Sequence, residues 1–392
     1  MIYINFNMMK NTKKIKLLFF EDHFVCGGVE RVLIDIFQHI NKNKFDCSLS
    51  LLKKKGEFLN EVKNIEIIGI EPIGTKDERL VTRFRIWIRR VYTVYKIINI
   101  KRPQIIVLSF PSIISFVVAF SKLLLITRKI KVVTRVESYY RLDTQNFLDR
   151  LLLSFLWLIT DIILPVSKGS ANAINKNFNV AKNKILVIYN GVDIERINGL
   201  KNDKIEDEWF ENNTLKILSV GNLVEPKGQE YLIKAFKIVN EKGIKAKLII
   251  IGEGYLRKEL ENLIKKLGLE DDIVLPGHIK NPYKYMKNSD IFVLSSIIEG
   301  FGCCIVEAMV CGIPVIATRC PSGPDEIITN NVNGILVPAK DEMALADAII
   351  EIISNKKKAK RLVECGMIRA RDFDIKRMVE KHENVFLKVA HL

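Results

Sequence analysis

Short β-branched runs alternate with longer helix-period stretches along almost the whole chain. A strand that is apolar without interruption must be covered on both faces, and helices inserted between successive strands do this while holding the strands parallel. In the first half such runs fall at 15–20, 46–52, 65–70, 105–109, 131–134, 161–165 and 185–188. A polar, acidic segment at 202–213 interrupts the pattern, which then restarts at 215–220, 246–251, 273–275, 291–294, 314–317 and 334–337. The pattern predicts an α/β protein of two Rossmann-like, doubly wound domains facing each other across a cleft. The first spans 1–200 and the second 201–373, with the boundary inside 195–213. A helix at 374–389 follows the last strand and is expected to cross back to the first domain. With 392 residues, 48% of them hydrophobic, the chain is long enough to build two cores. The stretch 105–126 is apolar enough to suggest a membrane span, but Pro111 divides it and Lys122 interrupts it. It is read as a buried strand followed by a helix.

The net charge of +16 is unevenly placed. Residues 1–200 hold 32 Lys and Arg against 17 Asp and Glu, whereas the remainder holds 29 against 28. A basic first half predicts an anionic partner there, which charge alone leaves open among nucleic acid, acidic lipid and a phosphorylated acceptor. No recognisable nucleic-acid module accompanies the charge, so nucleic acid is not expected as a partner. The segment 78–102 interleaves basic residues with apolar and aromatic ones, and helical spacing groups Trp87 with Arg83 and Arg90. That face is expected to dock on an anionic membrane surface. Seven cysteines, none in a C-x-x-C spacing, are read as reduced packing residues. The start of the chain lacks the pattern of a secretory signal, which predicts a cytoplasmic protein bound peripherally to the inner face of the membrane.

Glycine-bearing turns follow the opening strand of each half. Gly27-Gly28 precedes a helix, and paired glycines with open helix N–H groups suit an anion. The second turn runs from Gly221-Asn222 to Lys227-Gly228 and places a cation in the loop. The most specific segment is Ser295 to Met309. Glu299 precedes a short helix opened by Gly300-Phe301-Gly302, and Glu307 lies within that otherwise apolar helix. Eight residues turn a helix about 80° past two full turns, so the two carboxylates do not share a face and must do different work. A carboxylate within an apolar helix needs hydroxyl or cationic partners.

Taken in order with Asn190-Gly191-Val192-Asp193, Gly252-Glu253-Gly254, Gly277-His278 and Gly312-Ile313-Pro314, these motifs resemble the retaining glycosyltransferases of GT-B fold, specifically glycosyltransferase family 4. The resemblance covers nearly the whole chain. It implies transfer of a hexose or N-acetylhexosamine from a nucleotide diphosphate, expected to be UDP, to a glycan acceptor with retention of configuration. It further implies that Glu299 binds donor-sugar hydroxyls, Glu307 the ribose and Lys227 the diphosphate. Backbone N–H groups near Phe301, Gly302 and Cys303 would line sugar and phosphate, Gly277, His278 and Ile279 would receive the base, and Gly28 would approach donor phosphate or acceptor. Gly221 and Gly27 belong to the corresponding glycine turns. The chain departs from the family in two places. Asn222 stands where an arginine often pairs with the lysine, and the position after the fifth or sixth strand that often holds histidine leaves Arg135 and Glu137 as candidates on the acceptor side.

Ser322-Gly323-Pro324-Asp325-Glu326 resembles the loop of transferases that build surface polysaccharide, lipopolysaccharide and lipid-linked oligosaccharides, which implies a polyprenyl-diphosphate-linked saccharide as acceptor. With no Asp-x-Asp among these motifs, neither a metal nor a cofactor is expected; the nucleotide-sugar is a substrate. The alternatives are a soluble GT-B enzyme with a small acceptor and a sugar-nucleotide epimerase.

Overall fold

The structure is a computed structural model that describes residues 13–24, 27–71, 80–110, 112–124, 129–139, 146–210 and 214–391. The first six strands are β1 (Ile15–Glu21), β2 (Phe45–Lys53), β3 (Glu66–Glu71), β4 (Ile105–Phe110), β5 (Lys131–Val136) and β6 (Ile162–Pro165). They form one sheet in the order β3-β2-β1-β4-β5-β6. The next six are β7 (Leu215–Val220), β8 (Ala246–Ile251), β9 (Ile273–Gly277), β10 (Ile291–Leu294), β11 (Val315–Arg319) and β12 (Ile335–Pro338). Their order is β12-β11-β10-β7-β8-β9, parallel throughout. Counted within its own sheet, each set reads 3-2-1-4-5-6. That is the doubly wound order, in which the chain reverses direction beside the opening strand and leaves a crevice at the strands' carboxyl ends. In the second sheet this switch point lies between β7 and β10.

The uninterrupted apolar runs are explained by the second sheet's two covered faces. Leu218, Ile249, Ile251, Phe292 and Leu294 enter one core, while Ile217, Leu248, Ile250, Ile291 and Val293 enter the other. Neighbours along a strand therefore alternate between two apolar layers.

By its contacts the chain divides into two units. One runs from Lys13 through Arg135 and adds Asn146–Leu164 and Val379 onward, while the other holds Val136–Tyr139 and Pro165–Met378. Residues 165–200, assigned to the first domain from sequence, make their contacts in the second unit. Ser167 Oγ lies 2.6 Å from Ser322 Oγ, and the Glu326 carboxylate accepts from the N–H groups of Lys168 and Gly169 at 2.7 and 2.9 Å. The run 185–188 is not a seventh strand. It is an extended connection whose Ile188 N–H donates to the Pro165 carbonyl, with only an isolated bridge at Ile185.

Within the first unit, helix Ile113–Leu123 lies between helix Leu80–Lys101 and helix Phe147–Ile159. Trp87 meets Phe120 edge-on with centroids 4.9 Å apart, and Phe120 lies 4.9 Å from Phe155. The indole expected to enter a headgroup layer is thus turned against a neighbouring helix, and Arg90 is half-buried. Arg79 and the side chain of Arg83 lie outside the described residues.

Helix Ile375–Ala390 begins on the second unit, where the Ile375 N–H donates to the Val192 carbonyl, and its later turns belong to the first unit. There Phe386 is fully buried, edge-on to Phe19 at 6.4 Å and to Phe45 at 6.1 Å. Phe386→Ala should destabilise the first unit by about 3–5 kcal/mol. Hydrogen exchange should then show protection lost in β1 and β2, and loss confined to the second unit would contradict this packing.

Candidate functional site

The loops after β7 and β10 are tied together by their backbones. The Pro226 carbonyl accepts from the N–H groups of Ile297 and Ile298 at 2.7 and 3.1 Å, and Ser295 Oγ donates to the Lys227 carbonyl at 3.0 Å. Gly228 makes this approach possible. Its φ is +59°, and a Cβ there would fall 2.5 Å from the Ser295 carbonyl oxygen. Only glycine meets both conditions without strain. The adjoining loops are joined in the same way, with the Gly221 N–H donating to Ile251 O at 3.0 Å and the Gly252 N–H to Gly277 O at 2.9 Å.

This framework brings Lys227 onto Glu299. Lys227 Nζ donates to Glu299 Oε1, and Ser296 Oγ donates to the same oxygen at 2.6 Å. The carboxylate is 8% exposed and the lysine side chain 25%, so the ammonium keeps a route to a ligand. Burial pulls the lysine's proton affinity down, but the attraction of Glu299 outweighs it, and the ammonium ends above its ordinary pKa of 10.5. On the lysine side, the stabilisation is present below that ordinary value and is lost as pH rises through the raised one. Desolvating two charges costs about as much as their attraction returns, so such a pair is a weak stabiliser and is readily re-partnered. An anionic diphosphate would draw the ammonium, and ligand hydroxyls would then satisfy the carboxylate.

Helix Cys303–Cys311 starts beside the pair. Gly302 precedes it in the left-handed region at φ +96°, and no side chain caps its first turn. Its opening N–H groups remain available to an anion. At the other end Gly312 closes the helix at φ +80°, and Lys201 Nζ donates to the Val310 carbonyl at 3.0 Å. Glu307, within the helix, accepts from Tyr283 Oη at 3.3 Å. The two glutamates do have different surroundings, a cation and a hydroxyl for the first and a phenol for the second.

The Phe301 ring is 2% exposed and stacked on Tyr189 at 5.6 Å, so it anchors the loop and offers a ligand only its backbone. Gly277 is buried at φ +88°, His278 is exposed, Ile279 packs partly on the core, and Asn222 is exposed on the loop after β7. Glu137 is buried, and its carbonyl oxygen would lie 2.0 Å from a Cβ at Gly300, which sets its backbone directly against the Glu299 loop.

Gly27, Gly28 and Arg135 belong to the first unit. Arg135 is 1% exposed within β5. Gly28 opens helix Gly28–His39 onto free space, whereas a Cβ at Gly27 would meet the Glu30 carboxylate at 2.5 Å. That helix start therefore already holds an acid. The sequence reading missed Ser296 and Tyr283 as partners of the two glutamates. A serine three residues before a glutamate is a local signal for the first, but the second is joined only through the fold.

Residues 26–196 match the family described as Glycosyltransferase Family 4, and residues 201–367 match Glycosyl transferases group 1. An uncharacterized glycosyltransferase of Methanocaldococcus jannaschii is 30% identical over 333 residues, which is 75% of this chain and 82% of that protein. The chain belongs to glycosyltransferase family 4. The transferase is also 32% identical, over 238 residues, to a Campylobacter jejuni enzyme named N-acetylgalactosamine-N,N'-diacetylbacillosaminyl-diphospho-undecaprenol 4-alpha-N-acetylgalactosaminyltransferase, covering 60% of this chain and 62% of that one. In fold it is similar to the Anabaena protein HepE crystallised with UDP-glucose, with TM-score 0.79, 21% identity, and coverage of 95% of this chain and all of the other. Its two sheets are those of the GT-B glycosyltransferases.

Two thiols of the transferase sit in the first turn of the Cys303 helix. Burial, reinforced by Glu307, Cys304, Glu137 and Glu299, raises Cys303 well above its ordinary value of 9.0, and burial pushes Cys304 up to about 12. Both are protonated at neutral pH and poor nucleophiles. Iodoacetamide near pH 8 should alkylate the peptide holding them roughly a hundredfold or more slower than free cysteine, the rate climbing with pH. Mass spectrometry of the digested protein reads this, and rapid labelling would contradict the assigned environment.

Proposed function

We propose that this glycosyltransferase moves a hexose or N-acetylhexosamine from a UDP-sugar to a polyprenyl-diphosphate-linked saccharide, with retention of anomeric configuration. The observation that carries the reading is the Lys227–Glu299 pair at the carboxyl ends of β7 and β10, beside an uncapped helix start. It supplies a cation and N–H groups for a diphosphate together with a carboxylate for sugar hydroxyls. HepE, whose fold this chain shares, was crystallised with UDP-glucose, and the Campylobacter relative is named for an undecaprenyl-diphosphate acceptor. Those names support a UDP donor and a lipid-linked acceptor, as used in surface polysaccharide assembly.

In the proposed reaction the acceptor oxygen bonds to the anomeric carbon on the face from which the diphosphate leaves. The sugar–phosphate bond breaks, and the acceptor proton passes to the departing diphosphate oxygen. The protein's task is to stabilise negative charge on that leaving group. Lys227, the N–H groups of the Cys303 helix and Asn222 do so, which makes a metal dispensable. Glu299 holds the sugar, and Glu307 holds the ribose with Tyr283 fixing its orientation. Among the described residues no helix is long and apolar enough to cross a membrane. A lipid-linked acceptor brings the enzyme to the cytoplasmic membrane face as a peripheral protein.

Incubation with labelled UDP-sugars and a polyprenyl-diphosphate saccharide should move label to the lipid fraction. Label found only in free sugar or in an epimerised nucleotide would refute the assignment. Lys227→Ala should slow transfer and Glu307→Ala should weaken donor binding, each by about 1.5–3 kcal/mol, roughly ten- to a hundredfold. Wild-type kinetics in either variant would remove that residue from the site. Transfer should survive EDTA, and complete loss restored by magnesium or manganese would show that a metal carries the diphosphate.

A further inference from the structure

The first unit carries a surface that its own packing leaves unexplained. On helix Leu80–Lys101, Phe84, Ile88 and Tyr92 recur at four-residue steps and are 63%, 49% and 54% exposed. On helix Phe147–Ile159, Phe147, Leu151 and Leu158 are 80%, 56% and 75% exposed. Between these helices lies Ile113–Leu123, and the Trp87–Phe120–Phe155 contacts run across all three with each ring partly open to solvent. Apolar side chains are thus exposed on both flanks of a three-helix layer that is itself joined by aromatic rings. Monomeric proteins seldom leave such a patch open without a partner.

The charge on the same layer selects the partner. The three helices hold eight Lys and Arg against a single acid, Asp149. Lys101 and Lys122 are paired with Glu66 and Asp161, which lie off these helices, while Arg85, Arg89 and Lys96 are exposed among the apolar residues. A second copy of the chain would fit poorly, because a two-fold contact sets the same patch against itself and brings cation to cation. Nucleic acid would satisfy the cations but leave aliphatic side chains in water. A bilayer with acidic headgroups satisfies both, with apolar residues entering the acyl boundary and guanidinium groups meeting phosphates.

We infer that this three-helix face is the surface by which the enzyme docks on an acidic lipid membrane. The inference deepens the proposed function, since a lipid-linked acceptor requires that some face meet the bilayer. The experiment is sedimentation of the full chain with phosphatidylcholine vesicles and with vesicles containing phosphatidylglycerol, at low and high salt. Wild type should pellet with the acidic vesicles and be released by salt. Arg85→Glu with Arg89→Glu, and separately Phe147→Ser with Leu151→Ser, should each weaken pelleting by roughly tenfold or more. Thermal melts should confirm that both variants stay folded, because the altered side chains are already exposed.

Pelleting that ignores lipid charge, or that persists in both variants, would overturn the inference. So would a concentration-dependent dimer that Phe147→Ser with Leu151→Ser abolishes, which would give the patch to a second copy. UDP-sugar transfer to a soluble acceptor saccharide reads the proposed function separately and should be unchanged in both variants. Vesicle binding without transfer from any UDP-sugar would refute that function and leave the docking face standing.

Discussion

One carbonyl organises the candidate site of the second unit. Pro226 O receives two N–H groups from the loop after β10, and this contact needs a left-handed residue without a side chain at Gly228. Because β7 and β10 are neighbours at the switch point of the sheet, their loops leave side by side and can be fastened in this way. The fastening places a lysine from one loop on a glutamate from the other, across 72 residues of chain. It also holds Gly300 and Gly302 where the next helix begins with its N–H groups uncovered. Fold order and glycine placement therefore permit one close backbone approach, and the placement of the charges follows from it.

The charges so placed suit a site that exchanges partners. A cation shared between a buried carboxylate and an incoming diphosphate spends little free energy in switching, because the pair itself contributes little net stability. The thiols that follow Gly302 take no part in this exchange. Their burial keeps them protonated, so the first turn of the helix presents only backbone dipoles to an anion. The Phe301 ring, stacked on Tyr189 and edge-on to Phe373 at 5.4 Å, fixes the loop from behind. Rigid support of this kind lets a short segment hold its donors in place without reorganising.

Much of this was legible in the residues. The strands at 215–220, 246–251 and 291–294 coincide with β7, β8 and β10, because each is an apolar run bounded by polar or glycine residues and buried on both faces. The run 185–188 was misread for a physical reason. Its β-branched composition favours extended backbone, and the backbone is extended, but among the described residues it forms an isolated bridge at Ile185 and the Ile188–Pro165 hydrogen bond, not a ladder. The boundary near residue 200 follows composition, whereas contacts put 165–200 with the second unit through Ser322 and Glu326, side chains more than 150 residues away in sequence. Likewise, spacing placed Trp87 among the basic residues of one helix face, but the spacing of one helix cannot reveal a phenylalanine on the next. Glu299, Lys227 and Glu307 stand out in the sequence as candidate site residues, yet the direct Lys227–Glu299 contact and the Tyr283 hydroxyl on Glu307 arise only from the fold.

The pair at the ends of β7 and β10 is proposed to build the donor-diphosphate site. The most direct measurement is a crystal structure of the transferase with UDP. The diphosphate is expected within hydrogen-bonding distance of Lys227 Nζ and of the first N–H groups of helix Cys303–Cys311, with Glu299 released from the lysine toward the sugar position. A diphosphate bound elsewhere, for example at the Gly27-Gly28 turn, with the Lys227–Glu299 contact undisturbed, would contradict it.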